Sequence, residues 1–216
     1  RLLRPLPVGR AQGAAAAATV SWVLLEWVRS GKPTVLGAAS GCIAGLVAIT
    51  PAAGFVEPMP AIIIGFVGGA VCYGAVAVLK EKMGYDDSLD AFGVHGIGGT
   101  WGSIATGLFA TTAVNPAGAD GLFYGDAHLL MAQVISTIVA YALAIVGSYV
   151  LYKIVNAITP MRADDAEETA GLDIVEHGEH GYTGETFSAS PMLSSFVGSS
   201  ADATSFSSTM LENPGK

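Results

Sequence analysis

Two side chains in this sequence could do acid–base chemistry inside apolar surroundings: Glu26 and His95. Tyrosine and cysteine aside, they are the ionisable residues of five long apolar blocks, and an ionisable group at membrane depth is costly enough to be a functional candidate by default. His95 lies about one turn into the fourth block, in Asp90-Ala91-Phe92-Gly93-Val94-His95-Gly96, with no charge for several residues after it. An imidazole there needs a hydrogen-bond partner and can exchange a proton. From the residues alone, a functional histidine and a structural one satisfied by a neighbouring carbonyl both stay open. Glu26 sits one turn from its block's end, beside Trp27 and ahead of Arg29 and Lys32, which fits an interfacial anchor or a local ion pair. Asp90 is expected to cap the His95 helix, where a carboxylate can accept from unpaired backbone amides.

Other reactive residues point nowhere in particular. Glu176, His177, Glu179 and His180 crowd one acidic stretch, but such a stretch lacks the fixed geometry and full ligand set of a metal site, so no metal is expected. Cys42 and Cys72 fall inside apolar blocks and read as small buried hydrophobes. No nucleophile–base pair and no phosphate-cradling glycine loop occurs at a workable spacing, so neither an enzyme nor a cofactor is expected.

The elements that must position His95 are written in the hydropathy. The sequence is 51% hydrophobic and 13% charged, where soluble domains carry about a quarter charged residues. Its apolar residues come in blocks at 11–28, 35–56, 61–79, 91–114 and 129–152. Each meets the length of about 20 residues that a helix needs to cross a hydrocarbon core about 30 Å thick. The fold class expected is therefore all-α, a polytopic transmembrane bundle over residues 11–160. Helix breakers at Gly31-Lys32-Pro33, Pro58-Met59-Pro60 and Asn115-Pro116-Ala117-Gly118 read as surface turns. Glycines four apart, in Gly37-Gly41-Gly45, Gly65-Gly69 and Gly98-Gly102, offer small faces for close helix approach.

Charge sets the orientation. Arg29, Lys32, Lys80, Lys82, Lys153 and Arg162 all fall on one side, which is the expected cytoplasmic side. The net charge of −8 belongs to residues 161–216, so a basic nucleic-acid footprint is absent and the carboxy-terminal tail is expected in the cytoplasm. Residues 184–216 hold nine serines and no structural period, and are expected to be disordered. Residues 1–10 form an atypical leader without the pattern of a cleavable signal peptide.

Three ordered motifs resemble the ammonium transporter family. They are Gly31-Lys32-Pro33-Thr34 with the Leu36–Gly41 and Ala44–Ala52 runs, then the Asp90–Gly96 run, then Gly171-Leu172-Asp173 with Glu176-His177-Gly178 and Tyr182. The likeness covers roughly residues 11–183 and corresponds to the last five of the family's eleven membrane helices; the first six are not present here. It implies an inverted repeat of two five-helix halves with this chain as most of the second half, a homotrimer with a pore through each subunit, and a plasma-membrane location. His95 matches one of two histidines that meet at the family's pore centre, and by the same match Ala91, Leu36 and Ile43 line an apolar pore for ammonium or ammonia. The tail residues Gly171, Leu172, Asp173, His177, Gly178 and Tyr182 match a cytoplasmic signature that touches a neighbouring subunit, in some members with a PII-type regulatory protein. A threonine that plant members phosphorylate is Val175 here. The alternatives are an ammonium sensor using the same site, or a non-conducting fragment.

Overall fold

The structure, a computed structural model, describes residues 6–181. Tyr182, the Ser-rich 184–216 stretch and residues 1–5 of the leader lie outside the described residues. Every regular element among the described residues is helical. α1 spans Leu6–Ser30, α2 Val35–Ile49 and α3 Pro58–Met83, the last with a π turn at Ala75–Leu79. A second π turn, Phe92–Gly96, runs directly into α4, Ile97–Phe109. A 3₁₀ turn at Leu122–Tyr124 precedes α5, His128–Ile158, and the short helices α6, Asp165–Ala170, and α7, Leu172–His177, follow.

Several boundaries differ from the apolar blocks, for identifiable reasons. The 35–56 block is not one helix: α2 stops at Ile49, because Pro51 has no N–H to continue the ladder and the chain proceeds in turns. Its 15 residues reach only about 22 Å. Pro58 and Pro60 do not form a turn; they start α3, where an amide would be unpaired in any case. The 91–114 block ends as a helix at Phe109, since Ala110 turns extended and the Thr111 N–H donates to the Phe55 carbonyl at 2.8 Å. Among the described residues two helices, α3 and α5, are long and apolar enough to cross a membrane; α2 is apolar but short, and α1 carries Arg10, Glu26 and Arg29.

Contacts divide the chain between Val146 and Gly147, inside α5. In the first unit α1 packs between α2 and α3 through glycines. A Cβ added at Gly45 would lie 2.5 Å from the Ala14 carbonyl oxygen and 2.7 Å from the Ala15 Cα, and one at Gly69 would lie 2.5 Å from the Ala18 carbonyl oxygen. Gly102 of α4 sits equally close to Ala48 of α2. One core cluster gathers Ala14, Ala48, Ile49, Val56, Ile64 and Ala105; a second gathers Trp22, Ala44, Cys72, Tyr73 and Val94. The second unit holds the end of α5, α6 and α7. There Asp164 caps α6 and Glu167 reaches back to it, a reciprocal capping box.

Candidate site around His95

The segment that starts the His95 helix begins at the end of α3. Asp87, not Asp90, is the cap: its carboxylate accepts from the Ala91, Phe92 and Gly93 amides at 2.8, 3.0 and 3.3 Å. Asp90 takes a left-handed backbone, φ 55°, and its carboxylate instead accepts from the Lys80 ammonium at 2.7 Å. The spacing to the helix start made Asp90 the expected cap, but its backbone turns the side chain toward α3. After this start the helix runs as a π turn, a rare form that, where it occurs, often lies at a functional site.

The π turn divides its side chains. Gly93 and Val94 are buried, Val94 in the cluster with Ala44 and Cys72, whereas Ala91 and His95 are exposed. Among the described residues no hydrogen bond is made by the His95 ring. α2 is divided the same way: Gly37, Gly41, Ala44, Gly45 and Ala48 are buried, while Leu36 is 77% exposed and Ile43 48%. Leu36, Ala39, Ile43 and Leu46 form one exposed stripe at helical spacing. The two elements meet through Val94, Ala44 and Val47, so His95 and Ile43 each adjoin a residue of one cluster and each turn out of it.

Glu26 positions α2. Its carboxylate accepts from the Thr34 N–H at 3.0 Å and the Thr34 hydroxyl at 2.8 Å, and the Thr34 oxygen accepts from the Gly37 N–H at 2.8 Å. Of the two expectations for Glu26, interfacial anchor or local ion pair, the ion pair is not formed among the described residues; Arg29 pairs with Glu81 of α3 at 2.8 Å.

An open cavity of about 440 Å³ lies between α4 and α5. His95 lines it with the hydroxyl residues Thr100, Ser103, Ser136, Thr137 and Tyr141; Ala91, Leu36 and Ile43 do not. The Tyr141 hydroxyl donates to the Gly96 carbonyl at 3.1 Å and lies 2.6 Å from the Thr100 hydroxyl. Ser103 donates to Gln133 Oε1 at 2.8 Å and accepts from Thr137 at 2.9 Å. Sequence reasoning passed over this polar network. Its signal is Gln133, Thr137 and Tyr141 spaced four apart, one polar stripe down an otherwise apolar helix.

The tail motif residues fold locally. Gly171 and Gly178 take positive φ, 98° and 68°, at the two ends of α7. The Asp173 carboxylate accepts from the Gly181 N–H at 2.8 Å, and that bond above all, with further backbone amides, holds its pKa below the usual carboxylate value. His177 is in the last turn of α7, and Leu172 is half-exposed.

The family model described as the Ammonium Transporter Family matches residues 10–182. An ammonium transporter of Bacillus subtilis (strain 168) is 60% identical over 169 residues, which cover 78% of this chain and 42% of that protein. The crystal structure of Saccharomyces cerevisiae Mep2 superimposes with a TM-score of 0.69 at 36% identity, covering 74% of this chain and 37% of that one. A structure titled Sensor Amt Protein superimposes with a TM-score of 0.68 at 26% identity, covering 79% of this chain and 41% of that one. The chain thus spans about two fifths of the length of the relatives it matches.

Proposed function

The chain belongs to the ammonium transporter family, a family of membrane proteins, and on that premise we propose that it supplies the second half of a pore passing ammonium or ammonia, with His95 in a proton relay. Bare ammonium is expensive in an apolar constriction, whereas neutral ammonia crosses cheaply. An imidazole on the path can receive the proton and hand it on. The observation that carries the reading is the exposed His95 ring on a π turn, without a hydrogen-bond partner among the described residues, beside a helix whose apolar stripe, Leu36 to Ile43, is also exposed. Ala91, one turn before His95, extends the lining. In the whole protein the remaining helices complete the inverted repeat, and three subunits assemble in the plasma membrane. The carboxy terminus is cytoplasmic, on the side of Arg29, Lys80 and Lys82, and the segment from Gly171 to Tyr182 contacts a neighbouring subunit or a PII-type protein.

Likeness to a structure titled as a sensor favours one second reading: the same site binds ammonium and the tail reports it. Uptake of labelled methylammonium separates the two. It is measured in cells lacking their own ammonium transporters and expressing the full-length protein that carries this chain. His95→Ala is expected to lower uptake about a hundredfold at equal membrane insertion, the low end of what a positioned proton-transfer group contributes. Unchanged uptake sinks the relay. No uptake even with His95 present selects the sensor or a non-conducting fragment.

A further inference from the structure

The His95 helix is held at its start by a residue outside the apolar stripe. Lys80, in the last turns of α3, donates to the Asp87 carbonyl at 2.6 Å and to Asp90 Oδ1 at 2.7 Å. It therefore grips the carbonyl of the residue whose carboxylate caps the π turn, and the carboxylate of the residue that enters it through a left-handed backbone. Such a backbone in a non-glycine residue persists only where the surroundings hold it. The two π turns also touch: a Cβ added at Gly93 would lie 2.7 Å from Val76 Cγ2, so the turn bearing His95 is seated on the turn of α3 that leads to Lys80.

We infer that Lys80 is a positioning residue for His95: its ammonium ties the 84–91 segment to α3 and so fixes the register of the π turn that aims the imidazole. The geometry requires some such tie. A π turn holds one residue more than an α turn, and a shift of one residue in register turns every following side chain by about 100°. Both side chains of the Lys80–Asp90 pair are 29% exposed, so the pair is partly shielded from water. Its loss is read in the geometry at position 95, compared at equal amounts of inserted protein.

The inference rests on the transport reading for one arm of its test and stands alone on the other. In the full-length protein, His95→Cys is labelled with a membrane-permeant thiol reagent, above the background from Cys42 and Cys72. Adding Lys80→Met or Asp90→Asn should change the labelling rate at position 95 about tenfold, the scale on which small misplacements act. Lys80→Arg should keep it within about twofold, since a guanidinium can make both bonds. In the uptake arm, with His95 present, Lys80→Met should lower the maximal rate about tenfold with KM nearly constant, and Lys80→Arg should restore most of it. Unchanged labelling in both Lys80→Met and Asp90→Asn overturns the inference, as does a Lys80→Arg variant that falls as far as Lys80→Met. If the parent protein takes up nothing, the transport reading fails, and the labelling arm still decides the role of Lys80. A Lys80→Met variant that does not insert leaves Asp90→Asn to decide.

Discussion

α1 and the part of α5 up to Val146 both belong to the first unit, yet they are held by opposite means. α1 is gripped on two sides by glycines of α2 and α3, with Ala14 and Ala18 fully buried and backbones in contact. α5 has no fully buried residue; it meets α4 through Gln133, Thr137 and Tyr141, with a close approach at Gly107 to Leu130. The contrast follows from the solvent. Lipid tails give apolar helices no hydrophobic reason to associate, so contact must come from close backbone packing or from interhelical hydrogen bonds. α1 uses the first and α5 mainly the second, which leaves most of the α5 surface for lipid or for other parts of the protein.

The largest effect that would break this comparison is a side chain in the glycine seam. Gly45→Leu puts atoms where the Ala14 carbonyl already lies, and should cost about 3 kcal/mol or more, because the obstacle is backbone that cannot turn aside. Thermal unfolding in detergent reads it. Gly147→Ala in α5 meets nothing within 4 Å and should be neutral or slightly stabilising. Equal losses at both positions would remove the distinction between the two helices.

A smaller effect sharpens the other half of the contrast. Tyr141→Phe removes the hydroxyl that bonds the Gly96 carbonyl and should cost about 0.6 kcal/mol, the average found for hydrogen bonds between membrane helices. A double-mutant cycle with Thr100→Val isolates the shared part, and zero coupling would mean that the ladder does not hold α5.

The smallest effect lies in the tail, where neither glycine seam nor helix pair is at work. Asp173 has its pKa lowered chiefly by the Gly181 amide, so the carboxylate contributes order above its unfolded pKa, and that order is lost as pH falls through the lowered folded value. Hydrogen exchange at the Gly181 amide should accelerate in that acidic window, after allowance for its intrinsic pH dependence. Asp173→Asn should abolish the pH response while leaving the Gly45 and Tyr141 effects unchanged.

Much of the bundle was readable in advance, because hydropathy and glycine spacing act along one helix at a time. Glycines 37, 41, 45, 65 and 69 do line the seams on α1. Helix ends were less readable: Pro58 begins a helix where a turn was expected, and Thr111 leaves one to bond Phe55, a partner far away in the chain. At the site, the motif marks His95, Ala91, Leu36 and Ile43, and the structure shows each of them exposed. The cap was misplaced by three residues, since which aspartate caps depends on the backbone angles of Asp90 and not on its identity.

The sequence by itself determined that the chain is helical and apolar in long blocks, that small residues form its contact faces, that one histidine falls within an apolar stretch of sequence, and to which family it belongs. These follow from composition and from periodicities of three to four residues, which need no knowledge of neighbours. Only the tertiary structure decided that Glu26 supports Thr34 and not Arg29, that Lys80 clasps both Asp87 and Asp90, and that Tyr141 reaches the carbonyl beside His95. A carboxylate, an ammonium or a hydroxyl can bond with many groups, and which one it meets is set when the helices pack.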